Sequence, residues 1–123
     1  VIPYSNVILF GTLRARLIEL FLILTVAIGT IPLHESFHKL SLVFMGAKGS
    51  VENWGVFHWG FCGYTVTSSQ WPWFCVAGGL GVFTTYGVLW WFARKRLPLL
   101  GYTLIAIALG QLGYGLWEMA SSL

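Results

Sequence analysis

The chain has 123 residues, of which 57% are hydrophobic, 17% aromatic and only 9% charged. Soluble domains carry roughly 25% charged residues, so this composition excludes a water-soluble globular protein and points to an integral, multi-pass membrane protein with the lipid bilayer as its solvent. The net charge of +3 marks no nucleic-acid partner, because the basic residues stand at the ends of apolar segments, where they act as topology signals.

The length allows a single membrane domain over residues 1–123, without a separate soluble module. Residues 1–13 are apolar but broken by Pro3, Ser5, Asn6 and Gly11, and are expected to lie at the interface or against a partner. Arg14 and Arg16 then mark a membrane boundary. From Leu17 to Met45 the chain is almost continuously apolar, interrupted by Glu19, a histidine motif and Lys39. A span needs about 20 residues, so a first helix over 17–45 can cross and project, or kink at Pro32. No cleavable signal peptide is expected, since the first apolar stretch runs directly into the motif.

That motif is His34-Glu35-Ser36-Phe37-His38. Residues i and i+4 share a helix face, so both imidazoles can reach one metal ion, and Glu35 beside the first ligand can take a proton from water activated there. A catalytic zinc site uses three protein ligands and keeps one position open; the motif provides two ligands and a base. The alternative is a histidine pair making hydrogen bonds between packed helices. Inside a membrane, where ionisable groups are expensive and usually functional, the metal reading is the stronger.

Residues 50–72 change character. Val56-Phe57-His58-Trp59 and Cys62-Gly63-Tyr64-Thr65-Val66-Thr67 are rich in aromatic and β-branched residues, which predicts a small β-hairpin or re-entrant segment between the first and second spans. Tryptophans 54, 59, 71 and 73, with Tyr64, suit a membrane interface. A second span is expected over about 73–93, with Ala77-Gly78-Gly79-Leu80-Gly81 allowing close approach of another helix. Arg94-Lys95-Arg96 closes it, and Leu97-Pro98 opens a third span over about 99–120 carrying Gln111, Tyr114 and Glu118. The expected fold is therefore mainly α, with three transmembrane helices. Five of seven basic residues fall on one side of this arrangement, which places the N-terminus in the cytoplasm.

Depth narrows the search for a third ligand. His34 lies roughly 27 Å beyond Arg16 along a helix, and Glu118 roughly 33 Å beyond Arg96. Both spans ascend from the basic side, so the two arrive at similar depth, and a carboxylate there is costly unless paired, protonated or metal-bound. Glu118 is the first choice, set against an interfacial carboxylate at a helix end; His58 is the second. Cys62 and Cys75 can bridge or pack as small apolar groups. Glu19, near the opposite face, is not expected to be a ligand.

In the order of its parts the chain resembles the site-2 protease family of intramembrane zinc metalloproteases. The parts are the HESFH helix, then Met45-Gly46-Ala47-Lys48-Gly49-Ser50-Val51, an aromatic glycine-rich segment, and Ala77-Gly78-Gly79-Leu80-Gly81 opening a helix. The resemblance covers about Ile31 to Phe83, with a third helix following. It implies Zn2+ on His34 and His38, Glu35 as the group activating water, and cleavage of a transmembrane peptide substrate. The family's third ligand is an aspartate in an Asn-Pro…Asp-Gly motif, whereas this chain contains no aspartate and carries Gln111 to Glu118 in that place. Two expectations follow. One is a membrane-embedded zinc metalloprotease with His34, His38 and Glu118 as ligands; the other is a non-catalytic accessory subunit, held among other membrane subunits, using the same fold with a structural or lost metal site.

Overall fold

The computed structural model describes the backbone of residues 4–48, 50–53, 59–62 and 65–121, and the side chains of residues 12–48 and 65–121. The described chain is mainly helical: α1 spans Tyr4–Met45, α2 Trp71–Ala93 and α3 Pro98–Ser121. All three helices are long and apolar enough to cross a membrane, the qualifying part of α1 being Thr12–Met45. Two short strands, β1 (Ser50–Asn53) and β2 (Trp59–Cys62), lie between α1 and α2.

Helix α1 departs from expectation at its start. No separate interfacial piece precedes Arg14; the helix is continuous from Tyr4. Isolated Ser, Asn and Gly lower helix stability by at most about 1 kcal/mol each, too little to break a helix with apolar neighbours. At 42 residues, α1 is roughly 63 Å long, about twice the apolar thickness of a bilayer. It ends in a Schellman motif. Gly46 adopts the left-handed conformation, φ 68°, the Gly46 N–H donates to the Val43 carbonyl and the Ala47 N–H to the Leu42 carbonyl. Those two bonds satisfy carbonyls that the helix end would leave unpaired, and Ala47 packs near Leu42 as the motif requires.

Strands β1 and β2 pair antiparallel, with Ser50 opposite Cys62 and Asn53 opposite Trp59. They do not fall where the alternation predicted. The first strand is Ser50–Asn53, whose Glu and Asn are poor strand formers, and Thr65 and Val66 belong to the connection into α2. The joining residues 54–58, on which the expected hairpin or re-entrant segment depends, lie outside the described residues, and His58 with them. The side chain of Cys62 is likewise outside them. The connection returns to the end of α1, where the Thr65 N–H donates to the Lys48 carbonyl at 2.9 Å.

Helices α2 and α3 form an antiparallel pair joined by the short Arg94–Leu97 turn, and α1 leans mainly on α2. Pro98 occupies the first position of α3, where its missing N–H removes no helical bond. Val82, Tyr86, Leu100, Leu104 and Ala108 make one core, and Leu42, Phe74 and Cys75 a second near the other end. At the first, Tyr86 OH donates to the Val26 carbonyl at 2.8 Å and lies 3.2 Å from Thr30 Oγ1, fixing the height of α1 against α2. The histidine motif sits between the two cores.

Candidate metal centre

His34 and His38 project from one face of α1 towards α2 and α3. Both are buried, at 6% and 4% exposure. Their Nε2 atoms stand 3.0 Å apart. The other ring nitrogens are already engaged: His38 Nδ1 lies 2.8 Å from the Phe74 carbonyl oxygen, and His34 Nδ1 lies 2.7 Å from Gln111 Oε1. A carbonyl oxygen only accepts, so each Nδ1 carries the proton, and each neutral ring turns a lone pair outward from Nε2. Two lone pairs 3.0 Å apart repel unless a cation stands between them.

Glu118 completes the cluster from α3. Its Oε1 is 3.3 Å from His34 Nε2, and its Oε2 is 3.9 Å from His38 Nε2. Oε1 is buried and makes no hydrogen bond within the described residues. A shared proton can relieve one pair of facing acceptors. A metal ion can relieve all three at once, and the spacing suits it: with bonds of about 2.0–2.1 Å, tetrahedral ligands stand about 3.3 Å apart. Donor types, separations and the orphaned oxygen therefore fit a metal ion, held by two imidazoles and a carboxylate. Glu35 is half-buried, and His34, Glu35 and His38 each offer a ligand atom within 4.8 Å of the others.

Helix α2 makes room for this. A Cβ at position 78 would stand 2.5 Å from the Nε2 of both histidines, so the space before the two lone pairs is open because residue 78 is glycine. Gly79 plays a different part: a Cβ there would run into the Gln111 carbonyl and the Gly115 backbone. The close α2–α3 contact brings Gln111 and Glu118 to the site. A cavity of about 230 Å³, lined by Trp71, Cys75, Glu118 and Ser121, reaches the carboxylate from the far side.

The structure thus brings together His34, His38, Glu35 and Glu118, all named from the sequence, and keeps Glu19 apart, buried against Arg16 at 3.2 Å. Cys75 packs beside Leu42 and Phe74. Three contributors were not assigned a role from the sequence: Gln111, the Phe74 carbonyl and the open space at Gly78. One signal for the first was present, since Gln111, Tyr114 and Glu118 recur at helical spacing on one face of an otherwise apolar span. Comparisons with protein-family models, with curated proteins and with solved structures return no match.

Proposed function

We propose that the chain is a membrane-embedded zinc metallopeptidase, hydrolysing a peptide bond of a membrane-borne substrate. The observation that supports this is the convergence of two outward-facing imidazole lone pairs and an unsatisfied carboxylate oxygen beside a half-buried glutamate. His34 Nε2, His38 Nε2 and the Glu118 carboxylate would hold the ion. Two nitrogens and one oxygen are a zinc donor set that leaves a fourth position for reactants. Bound zinc would supply a Lewis acid that polarises the scissile carbonyl and acidifies water.

The chain's own residues do the rest. Gln111 and the Phe74 carbonyl hold the Nδ1 protons and so keep both Nε2 lone pairs aimed at one point. Glu35 accepts a proton from the attacking water and passes it to the departing amine. Gly78 keeps the space in front of both Nε2 atoms open for the ion, and the cavity beside Glu118 gives water a way in. The motif order shared with site-2 proteases supports the same reading, with Glu118 in place of their aspartate. By the distribution of basic residues, the loop at Arg94 to Arg96 is cytoplasmic and the metal centre lies towards the opposite face.

The test separates metal from chemistry. Glu35→Gln retains one equivalent of metal and loses hydrolysis of an apolar quenched-fluorescent peptide by at least about 100-fold, as expected for loss of a general base. His34→Ala binds metal more weakly and loses hydrolysis as well. Wild-type protein that carries metal and cleaves no peptide would favour the accessory-subunit reading instead.

A further inference from the structure

One side chain at the centre has no task in the scheme above. Tyr114 lies on α3 one turn before Glu118, hence on the same face. Its ring centroid is 5.6 Å from that of His34, at 53°, and it stacks on Trp117 at 5.8 Å. The ring is half exposed, at 49%, and its hydroxyl has no hydrogen-bond partner among the described residues. A half-exposed phenol that lies against the His34 ring, one helical turn from Glu118, stands at the edge of the site with its hydroxyl proton available to whatever lies there. The aliphatic hydroxyls of Ser36, Thr84, Thr85 and Thr103, by contrast, each donate to the carbonyl four residues back.

We propose that Tyr114 is a catalytic residue, donating its O–H to the carbonyl oxygen of the scissile amide. This rests on the hydrolase reading and adds a residue to it. As water adds to the carbonyl carbon, its proton goes to Glu35 and the C=O electron pair moves to oxygen. That oxygen becomes negative and accepts the Tyr114 hydrogen bond most strongly at this stage. When the C–N bond breaks, the electrons return to the carbonyl, the amine takes the proton from Glu35, and the hydrogen bond weakens. Tyr114 thus favours the transition state over the bound amide, the condition for raising kcat. The phenol stays protonated throughout.

The experiment uses full-length, zinc-loaded protein in detergent and three probes: a quenched-fluorescent apolar peptide with a central Phe–Leu bond, the same peptide with that amide replaced by a phosphinic group, and the same with a reduced amide. The phosphinic oxygens mimic the negative oxygen; the reduced amide has none. Tyr114→Phe is expected to keep its zinc, to lose kcat by about 100-fold with KM within twofold, and to bind the phosphinic peptide weaker by a similar factor. Its affinity for the reduced-amide peptide stays unchanged. A kcat within twofold of wild type overturns the assignment and makes Tyr114 an interfacial aromatic. Loss of zinc from Tyr114→Phe also overturns it, in favour of a structural role. Wild-type protein that neither cleaves the peptide nor prefers the phosphinic form overturns the hydrolase reading, and this one with it.

Discussion

At the residue scale, the decisive feature is how little freedom the two histidines have. Each Nδ1 is tied to an oxygen on a different helix, His34 to Gln111 and His38 to Phe74, so rotating either ring would leave a buried polar group unpaired at a cost of about 1–3 kcal/mol. The rings are held in place before any ion arrives. Gly78 is the most sensitive position by this logic. Gly78→Ala places a methyl group 2.5 Å from both Nε2 atoms, in the space proposed for the ion. We expect the variant to keep its helical circular dichroism and lose bound metal, falling from about one equivalent to near none by elemental analysis. Full metal occupancy in this variant would show that the ion sits elsewhere. The histidine pair and Glu35 were legible in the sequence because i, i+4 spacing is a local property. Glu118 was legible only through depth, by counting along two spans from a shared basic boundary. The tethers were not legible, since a backbone carbonyl has no sequence signature and Gln111 is defined by which helix it meets.

At the scale of elements, α2 acts as a spacer whose glycines face two ways. Gly78 faces the histidines of α1, while Gly79 meets the Gln111 carbonyl and Gly115 on α3. Close backbone approach of this kind is what small residues provide between membrane helices. Gly79→Ala therefore pushes α3 away at the turn that carries Gln111. We expect a lowered thermal unfolding midpoint in detergent, with a loss of about 1–3 kcal/mol as for an overpacked core. Metal affinity should fall with it, by about 10-fold or more, because His34 loses its partner. Destabilisation with metal affinity unchanged would uncouple the α2–α3 contact from the site. The small-residue run announced a close contact in the sequence, and the three spans were readable from apolar length. The start of α1 differs from expectation because isolated weak helix formers do not break a helix with apolar neighbours, and β1 falls at the beginning of the 50–72 stretch, ahead of the alternating pieces, because strand propensity yields to its surroundings.

At the scale of the whole molecule, five of the seven basic residues stand at the end away from the candidate metal centre. Arg94 lies against Trp91, its guanidinium carbon 3.5 Å from the ring centre, beside the α2–α3 turn; His38, Phe74 and Glu118 gather near the other ends of the helices. Under the positive-inside rule, Lys48 and Lys95 fall on opposite faces of the membrane. Lys48→Cys should react with an impermeant maleimide from the non-cytoplasmic face only, and Lys95→Cys from the cytoplasmic face only; labelling of both from one face would invalidate the three-span topology. Everything proposed for this protein depends on an ion between α1 and α3, and X-ray absorption at the zinc edge of purified, chelator-free protein tests that most directly. The predicted spectrum shows two imidazole nitrogens at about 2.0–2.1 Å and carboxylate oxygen at about 2.0–2.2 Å, with one nitrogen shell lost in His38→Ala and the carboxylate contribution lost in Glu118→Ala. Protein that contains no metal, or whose zinc has a sulfur neighbour near 2.3 Å and a spectrum unaltered by those substitutions, would contradict the site.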